Sequence, residues 1–549
     1  MTDDQLSTFP LLQRIAGYAK SSSGAKAIID TPKNQTITYS ELVADIYALA
    51  GILAPLIQSQ SQSNDEEARV VILCEKGYLV PLSMLSVWTC GGLAVPILPS
   101  LPLPEQSYMT TNSEASLIIC DAKNRRRAEE LVKEVENGGG RCKIEEIDLE
   151  GIRSSNKASG GPDDGVQTLE GLKGLDGERR AMMLFTSGTT GRPKGVVTRH
   201  SALAAQVSAV SEAWRWSESD HLLHVLPLNH LHGIVVALLP TLWSGATVEL
   251  WEKFDGPAIW KRWINEEKQD PITMFFGVPT VYSRLIAAHS GFTPEIQGQA
   301  SKASSTLRLQ VSGSAPLPES VKKTWEQPGG VGGGQILLER YGMTETGIIA
   351  GTGWEVEKRI KGHVGFPLTG VEIRLWDEEA GHQITERETS GEVQVRGPPI
   401  TKEYWRLPEA TEKEFQDGWF KTGDVGVYSS DPSAEGQLRI LGRKSTDIIK
   451  SGGEKISAVE IERAILELEG MKDCAVVGVD DEEWGQVVSV CLVTSRPSVT
   501  VTDLRSELRS VIAPYKLPKK LKIYEGEIPR NNMGKVNKKK LVLEAFPPA

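Results

Sequence analysis

The chain has few cysteines, and their arrangement indicates neither a metal site nor a disulfide framework. None of the six cysteines stands in a CxxC pair or at zinc spacing from a histidine. Basic residues are also too few to balance the acidic ones, which leaves a formal net charge of -11. A nucleic acid partner requires a broad basic surface, so this charge argues against one. The cysteine content fits a reducing compartment best.

Long uninterrupted apolar runs are missing as well. The most apolar stretch, Ile234 to Trp243, is too short to cross a bilayer and contains Pro240. The N-terminal MTDDQLSTFPLLQRI has an early acidic pair and no apolar core, and the C-terminal FPPA is not a peroxisomal signal. We therefore expect a cytoplasmic protein without membrane insertion, and the sequence leaves its oligomeric state open.

A stretch rich in glycine and hydroxyl residues, Thr186 to Gly195 (TSGTTGRPKG), could hold a polyphosphate through backbone N–H groups, hydroxyls and one cation. A Walker A loop is disfavoured, because its lysine precedes Ser or Thr and opens a helix, whereas Lys194 follows a proline and precedes a glycine. A solvated Gly/Ser turn is the plain alternative. The candidate phosphate-binding residues are Thr186, Ser187, Gly188, Thr189, Thr190, Gly191 and Lys194.

Strand-like and helix-like segments alternate along the first half of the chain. Arg69 to Cys74, Leu93 to Leu98 and Ala115 to Cys120 have the pattern of buried strands separated by helices. This alternation predicts an α/β fold with doubly wound parallel sheets, and the length predicts more than one domain. We expect a large N-terminal domain with a β subdomain, residues 1–442, and a small, mobile α+β C-terminal domain, residues 443–549.

Two motifs in the second half are candidates for holding a nucleotide. In RYGMTETG, Tyr341 could stack on a base, Thr344 could bind a phosphate, and Glu345 could ligate Mg²⁺ as a hard oxygen donor. In DGWFKTGDVG, Asp424 could accept both hydroxyl groups of a ribose. An aspartate beside a glycine is also common in plain turns, so that alternative stays open.

Two further motifs supply candidates for an acid-binding pocket. PLNHLHG places His230 and His232 two residues apart, which could suit a metal, but no third ligand is evident, and packing or pocket lining is the better interpretation. In FGVPTVYSRL, Arg284 could pair bidentately with a second carboxylate of a substrate. An arginine on a solvated helix face would give the same pattern.

Together these motifs resemble those of the adenylate-forming enzymes, which include acyl-CoA synthetases, luciferases and the adenylation domains of peptide synthetases. The likeness covers nearly the whole chain, in family order from TSGTTGRPKG to PRNNMGK. FGVPTVYSRL and RYGMTETG are most similar to the malonyl-CoA synthetases. The resemblance implies that an acid reacts with ATP to give an acyl-adenylate and pyrophosphate, and that CoA then takes the acyl group, with Mg²⁺ as cofactor.

The resemblance also implies roles for individual residues. Lys535 would bridge the acid and the α-phosphate and would act in catalysis with Glu345 and Thr186. Arg284 would bind the distal carboxylate of malonate, and His230 would line the acyl pocket. The other implied contacts, with the nucleotide and with the pantetheine arm of CoA, are made by Ser314, Ala315, Pro316, Tyr341, Gly342, Arg443, Gly452 and Gly453.

The hinge of the C-terminal domain would be Ser445, where the family more often has Asp or Lys. A few backbone torsions suffice to rotate a domain, so this departure does not remove the hinge. The main hypothesis is a CoA ligase for malonate or methylmalonate, and a ligase for other short-chain or aromatic acids is the alternative. A domain that loads a fused carrier protein is disfavoured, because no GGxS segment follows Lys540. A non-catalytic nucleotide-binding protein is disfavoured by the complete set Lys194, Glu345, Asp424, Arg443 and Lys535.

Overall fold

The computed structural model describes residues 10–22, 24–58, 67–159, 176–186, 192–265, 270–452, 454–530 and 536–547. Within these ranges the strands assemble into four β-sheets with helices packed against them. In chain order the strands are Lys26–Asp30 (β1), Gln35–Thr38 (β2), Arg69–Leu73 (β3), Leu93–Pro96 (β4), Leu117–Cys120 (β5), Lys143–Glu146 (β6), Arg180–Phe185 (β7), Gly195–Arg199 (β8), His221–His224 (β9), Thr247–Leu250 (β10), Met274–Gly277 (β11), Leu309–Ser312 (β12), Leu338–Met343 (β13), Gly347–Gly351 (β14), Phe366–Pro367 (β15), Glu372–Asp377 (β16), His382–Ile384 (β17), Gly391–Arg396 (β18), Glu403–Tyr404 (β19), Phe415–Gln416 (β20), Trp419–Tyr428 (β21), Leu438–Arg443 (β22), Ile448–Ser451 (β23), Glu454–Ser457 (β24), Met471–Asp481 (β25), Gly485–Thr494 (β26) and Lys520–Ile523 (β27).

The helices lie between these strands, as the alternating pattern predicts. A π-helix, His232–Leu238, leads directly into the short α-helix Leu239–Trp243. In chain order the α-helices are Leu11–Ser21 (α1), Tyr39–Gln58 (α2), Leu79–Thr89 (α3), Leu103–Asn112 (α4), Arg125–Asn137 (α5), Leu149–Ser159 (α6), His200–Ala213 (α7), Leu239–Trp243 (α8), Gly256–Ile264 (α9), Pro279–Ser290 (α10), Pro294–Thr306 (α11), Glu319–Glu326 (α12), Pro408–Glu414 (α13), Ala458–Leu466 (α14), Val501–Leu508 (α15) and Lys538–Ala545 (α16).

Two large sheets form the body of the protein. The first has the order β6-β5-β3-β4-β7-β8-β19 and is parallel from β6 to β7. The second has the order β2-β1-β10-β9-β11-β12-β13-β14-β15 and is parallel from β1 to β13. Parallel strands bury both faces, which explains why β3, β4, β5 and β11 are almost entirely apolar and buried. Their carboxyl ends share an edge, and the candidate site lies at such an edge.

Two smaller sheets follow. The third, β17-β16-β18-β21-β20 with β22 added on β21, is antiparallel. The fourth, β24-β23-β26-β25 with β27 on β26, packs against α14 and α15. The chain passes from the third sheet to the fourth between Arg443 and Ile448. This architecture confirms the predicted α/β fold with a β subdomain and a smaller C-terminal unit. The boundary at 442/443 and the mobility of that unit stay predictions.

One helix is long and apolar enough to cross a membrane by length and composition, namely Tyr39–Ile57 within α2. Two acidic residues, Glu41 and Asp45, interrupt its apolar residues. In the fold, α2 packs between α1 and α3, and Leu42 is completely buried. Asp45 is buried as well and accepts a hydrogen bond from Arg153 at 2.6 Å. The apolar face of α2 is therefore part of the protein core.

Candidate active site

The described ends of the phosphate-loop motif are held together at the end of the β7–β8 hairpin. Phe185 pairs with Gly195 across the two strands, and the N–H of Thr186 donates to the carbonyl of Lys194 at 3.0 Å. Gly195 lies so close to Met183 that a Cβ would approach its sulfur to 2.8 Å, so a larger residue would disturb this base. The remaining candidates of the loop, Ser187, Gly188, Thr189, Thr190 and Gly191, lie outside the described residues, as do Gly453 and Lys535.

Lys194 reaches a cluster of oxygen-bearing side chains. Its Nζ lies 2.8 Å from Oε1 of Glu414 and 4.3 Å from the centre of the Tyr404 ring. The Tyr404 hydroxyl contacts Glu414 and also lies 3.0 Å from Oε1 of Glu345. Because β19 pairs with β8, Tyr404 lies directly opposite Val196, two residues after Lys194. The fold thus brings the candidate phosphate cation and the candidate metal ligand to one place.

Glu345 has the properties of a Mg²⁺ ligand. Its side chain is 7% exposed, and burial raises the pKa of its carboxyl group, because a buried carboxylate loses its hydration. In the described ranges it forms no ion pair, although the positive charge of Arg443 acts on its pKa in the opposite direction to burial. No group of three or more His, Cys, Asp or Glu side chains suited to a metal occurs in the described part of the chain. Magnesium is typically bound by one or two carboxylates, and water and phosphate oxygens supply its other ligands. A single carboxylate, that of Glu345, is therefore sufficient as the protein ligand.

A second cluster joins residues of β13, β21 and β22. The Tyr341 hydroxyl donates to Oδ2 of Asp424 at 2.5 Å, and Nε of Arg443 lies 3.0 Å from Oδ1 of the same carboxylate. Asp424 lies within β21 opposite Arg443 of β22, so the simple turn considered from the sequence is wrong. Gly342 is required here, because a Cβ would lie 2.1 Å from the carbonyl oxygen of Gly347. Base, ribose and phosphate contacts can therefore come from one patch.

The other candidates occupy scattered positions around this edge. Ser314 follows β12 with a φ of 70°, and Ala315 and Pro316 after it are exposed. Thr344 is half-buried beside Glu345. Gly452 has a φ of 58°, and a Cβ there would lie 2.9 Å from the Trp484 ring, so both space and backbone require glycine. These observations are compatible with the implied contacts, which stay predictions.

Arg340 is the site residue that the sequence analysis missed. It is 6% exposed, and its Nη2 donates to the Ser314 hydroxyl at 3.0 Å. Burial lowers the pKa of its guanidinium, and its Nε has no hydrogen-bond partner in the described ranges. No carboxylate within the described residues pairs with it. Gly313 makes room for it, because a Cβ there would lie 2.4 Å from the Arg340 Nε.

His232 lies beside this arginine and is held neutral. Burial, and then the positive charge of Arg340, keep the pKa of His232 well below its usual range. Its ring stacks on Phe276, and its Nδ1 lies 3.4 Å from the Ser314 Oγ. Its Nε2 has no hydrogen-bond partner among the described side chains and backbone groups. His230 is half-buried next to it, and its pocket-lining role stays a prediction.

A sequence signal for Arg340 existed. Arg340 lies two positions after Leu338 in the same strand, so the two side chains face the same side, and Leu338 is completely buried. Arg284, by contrast, is exposed on α10, and no described side chain pairs with it. The helix starts just beyond the carboxyl end of β11, at the same edge of the sheet. Its contact with a distal carboxylate stays a prediction.

An α/β fold with a buried acid, an aspartate–arginine pair and the Lys194 hairpin gathered near one another is typical of an enzyme that uses a nucleotide. The model described as "AMP-binding enzyme" matches residues 16–405, and "AMP-binding enzyme C-terminal domain" matches residues 460–535. The chain belongs to the AMP-binding enzyme family.

Relatives extend this similarity over most of the chain. The chain is 39% identical to a protein named CoA ligase from Gibberella moniliformis, and the matched region spans 95% of this chain and 92% of that protein. It is 37% identical to the mitochondrial malonate–CoA ligase ACSF3 of Mus musculus, over 93% of this chain and 87% of that one. The structure is similar to ATP-bound MatB from Rhodopseudomonas palustris, with a TM-score of 0.79 and 29% identity over 98% of this chain and 99% of that one.

Proposed function

We propose that this protein is an AMP-forming acid–CoA ligase that converts malonate, ATP and CoA into malonyl-CoA, AMP and pyrophosphate. Relatives named malonate–CoA ligases support this substrate, as does the similarity to MatB. Methylmalonate carries the same two carboxylates and is included in the proposal. A ligase for other short-chain or aromatic acids is the alternative.

The reaction explains why cations must gather at the site. A carboxylate is a poor acyl donor, so one of its oxygens first attacks the α-phosphorus of ATP, pyrophosphate leaves, and a mixed anhydride forms. Two anions must approach each other, and preorganised positive charge lowers that barrier. Lys194 and Lys535 would supply positive charge from the protein. Glu345 would hold Mg²⁺, which would add further positive charge when bound. The CoA thiol then displaces AMP after Lys535 withdraws by rotation about Ser445.

The single observation that carries the malonate assignment is the buried Arg340 guanidinium, which no carboxylate of the described residues pairs with. An unpaired buried charge costs several kcal/mol, and a partner that arrives with the substrate would relieve this cost. A diacid brings such a partner, because its second carboxylate is not consumed in the reaction. The Ser314 hydroxyl and the neutral ring of His232 offer further hydrogen bonds to it. A monocarboxylic acid would leave Arg340 unpaired.

Pyrophosphate release should be much faster with diacids than with monoacids. We expect kcat/KM for malonate or methylmalonate to exceed that for butyrate, acetate or benzoate by at least about tenfold, since an unpaired guanidinium disfavours an apolar chain. The measurement is a coupled pyrophosphate assay with CoA present, using each acid in turn. A preference for butyrate or benzoate would contradict malonate and favour the alternative.

The location and partners of the protein form the remaining part of the proposal. We place it in the cytoplasm, with the acid, ATP and CoA as its partners, without nucleic acid or membrane insertion and with its oligomeric state left open. The mouse relative is described as mitochondrial. Overlap of a fluorescent fusion of this protein with a mitochondrial marker would contradict the cytoplasmic assignment.

A further inference from the structure

The cation of the phosphate loop already has an anionic partner. Lys194 Nζ lies 2.8 Å from Oε1 of Glu414, the last residue of α13, although the two residues are 220 positions apart in the chain. Both side chains are 30% exposed, so the pair is shielded from water but not sealed from it. The mechanism proposed above gives Glu414 no role.

Tyr404 connects this pair to the candidate metal ligand. Its ring lies under the Lys194 ammonium group, and its hydroxyl contacts both Glu414 and Glu345. The backbone holds this ring in place, because Tyr404 pairs with Val196 in β8 and the next residue donates to the carbonyl of Gly195 at 2.8 Å. Lys194 is therefore fixed from below by a ring and from one side by a carboxylate.

The position of Glu414 conflicts with a bound polyphosphate. The family resemblance implies that Lys194 belongs to the loop that binds the phosphates of ATP. A phosphate oxygen and the Glu414 carboxylate would then compete for the Lys194 ammonium group. Like charges a few ångströms apart repel strongly in a partly buried site, where the effective dielectric is well below that of water. Binding of the nucleotide therefore disfavours the Lys194–Glu414 ion pair, and the ion pair disfavours binding of the nucleotide.

We propose that Glu414 is an internal substitute for a phosphate group. It holds Lys194 in place while the nucleotide is absent, and MgATP takes Lys194 from it on binding. The proposal rests on the ATP use proposed above and extends it to the binding step. Glu414 acts through Lys194, so it is a positioning residue whose carboxylate lowers the affinity for ATP.

Replacing the carboxylate by an amide tests this directly. Glu414→Gln keeps the size and an acceptor oxygen but removes the charge, so the dissociation constant of MgATP should fall by about three- to tenfold, as expected for loss of a partly exposed ion pair. The KM for ATP should fall in parallel, whereas the KM for malonate should stay the same. Isothermal titration with MgATP in the absence of acid gives the first value, and pyrophosphate release gives the others.

Glu412→Gln is the matched control, because Glu412 lies on the same helix, is exposed, and makes no ion pair in the described ranges. It removes the same charge, so its MgATP dissociation constant should equal that of the wild type. A second readout is thermal: MgATP should raise the melting temperature of Glu414→Gln by more than that of the wild type, because ligand stabilisation grows with affinity.

The sign of the change separates the possible outcomes. Weaker or unchanged MgATP binding in Glu414→Gln would overturn this proposal alone and leave the ligase function standing. An equal gain in Glu412→Gln would also overturn it, because the effect would then be one of general charge. A wild-type protein that binds no MgATP would overturn the proposed function and this inference with it.

Discussion

Replacing Arg340 by methionine should lower kcat/KM for malonate by roughly 10²- to 10⁴-fold, because removal of one partner of a buried ion pair costs about 3–5 kcal/mol. The same change should leave butyrate turnover unchanged or improve it, since an apolar acid would no longer face an unpaired guanidinium. Pyrophosphate release with both acids gives the ratio. The melting temperature without substrate should not fall, because methionine replaces a buried charge that has no described carboxylate partner.

Arg284→Ala is the companion variant for this measurement. If Arg340 binds the distal carboxylate, Arg284→Ala should change malonate turnover by less than about threefold, as is usual for an exposed side chain. If the sequence-based prediction for Arg284 holds, malonate turnover should fall far more than butyrate turnover. Equal losses for both acids in Arg340→Met, or a malonate-selective loss in Arg284→Ala alone, would contradict the assignment to Arg340.

Replacing Lys535 by alanine should abolish acyl-adenylate formation while leaving the second half-reaction active. Removal of one preorganised donor to a developing charge typically costs about 10²- to 10³-fold in rate, and a full cation at the α-phosphate should cost at least that much. Preformed malonyl-AMP supplied with CoA should still give malonyl-CoA, because the lysine withdraws before that step. The measurements are pyrophosphate release from ATP and malonate, and thioester formation from synthetic malonyl-AMP.

Lys540→Ala is a suitable control for this variant. Lys540 lies on α16, its side chain is 71% exposed, and it pairs only with Glu544 four residues later in the described part of the chain. It should retain both half-reactions, which excludes a general effect of lost basic charge on the C-terminal unit. Loss of both half-reactions in Lys535→Ala would contradict the two-position mechanism and the hinge at Ser445.

Much of the nucleotide end of the site follows from short motifs. The motifs predict that Tyr341 contacts the base and that Asp424 binds the ribose, although the two residues are 83 positions apart. In the fold, the Tyr341 hydroxyl lies 2.5 Å from the Asp424 Oδ2. Arg443 reaches the same carboxylate because β22 pairs with β21. Such motifs can be recognised from the sequence because each is local, with its residues positioned by a single strand end or turn. Their contacts with a nucleotide stay predictions.

The residue that would bind the distal carboxylate of the acid was harder to predict from the sequence. Arg284 stood out because its motif resembles that of malonyl-CoA synthetases, but its side chain is exposed on α10. Arg340 stood inside a recognised motif without a role, and its proposed importance rests on its burial and on the lack of a carboxylate partner among the residues that the structure describes. That property depends on Gly313, Ser314 and His232, which other strands and loops bring to it.

The sequence alone determined the family resemblance, the α/β class, and the residue types available for phosphate, metal and acid, because periodicity and motif spacing are written along the chain. Only the tertiary structure decided which charges have partners. It pairs Lys194 with Glu414, leaves Arg340 without a described carboxylate, and packs one face of the membrane-length helix α2 into the core. The physical reason is that ion pairing and desolvation depend on atoms within a few ångströms, which packing selects from distant parts of the chain.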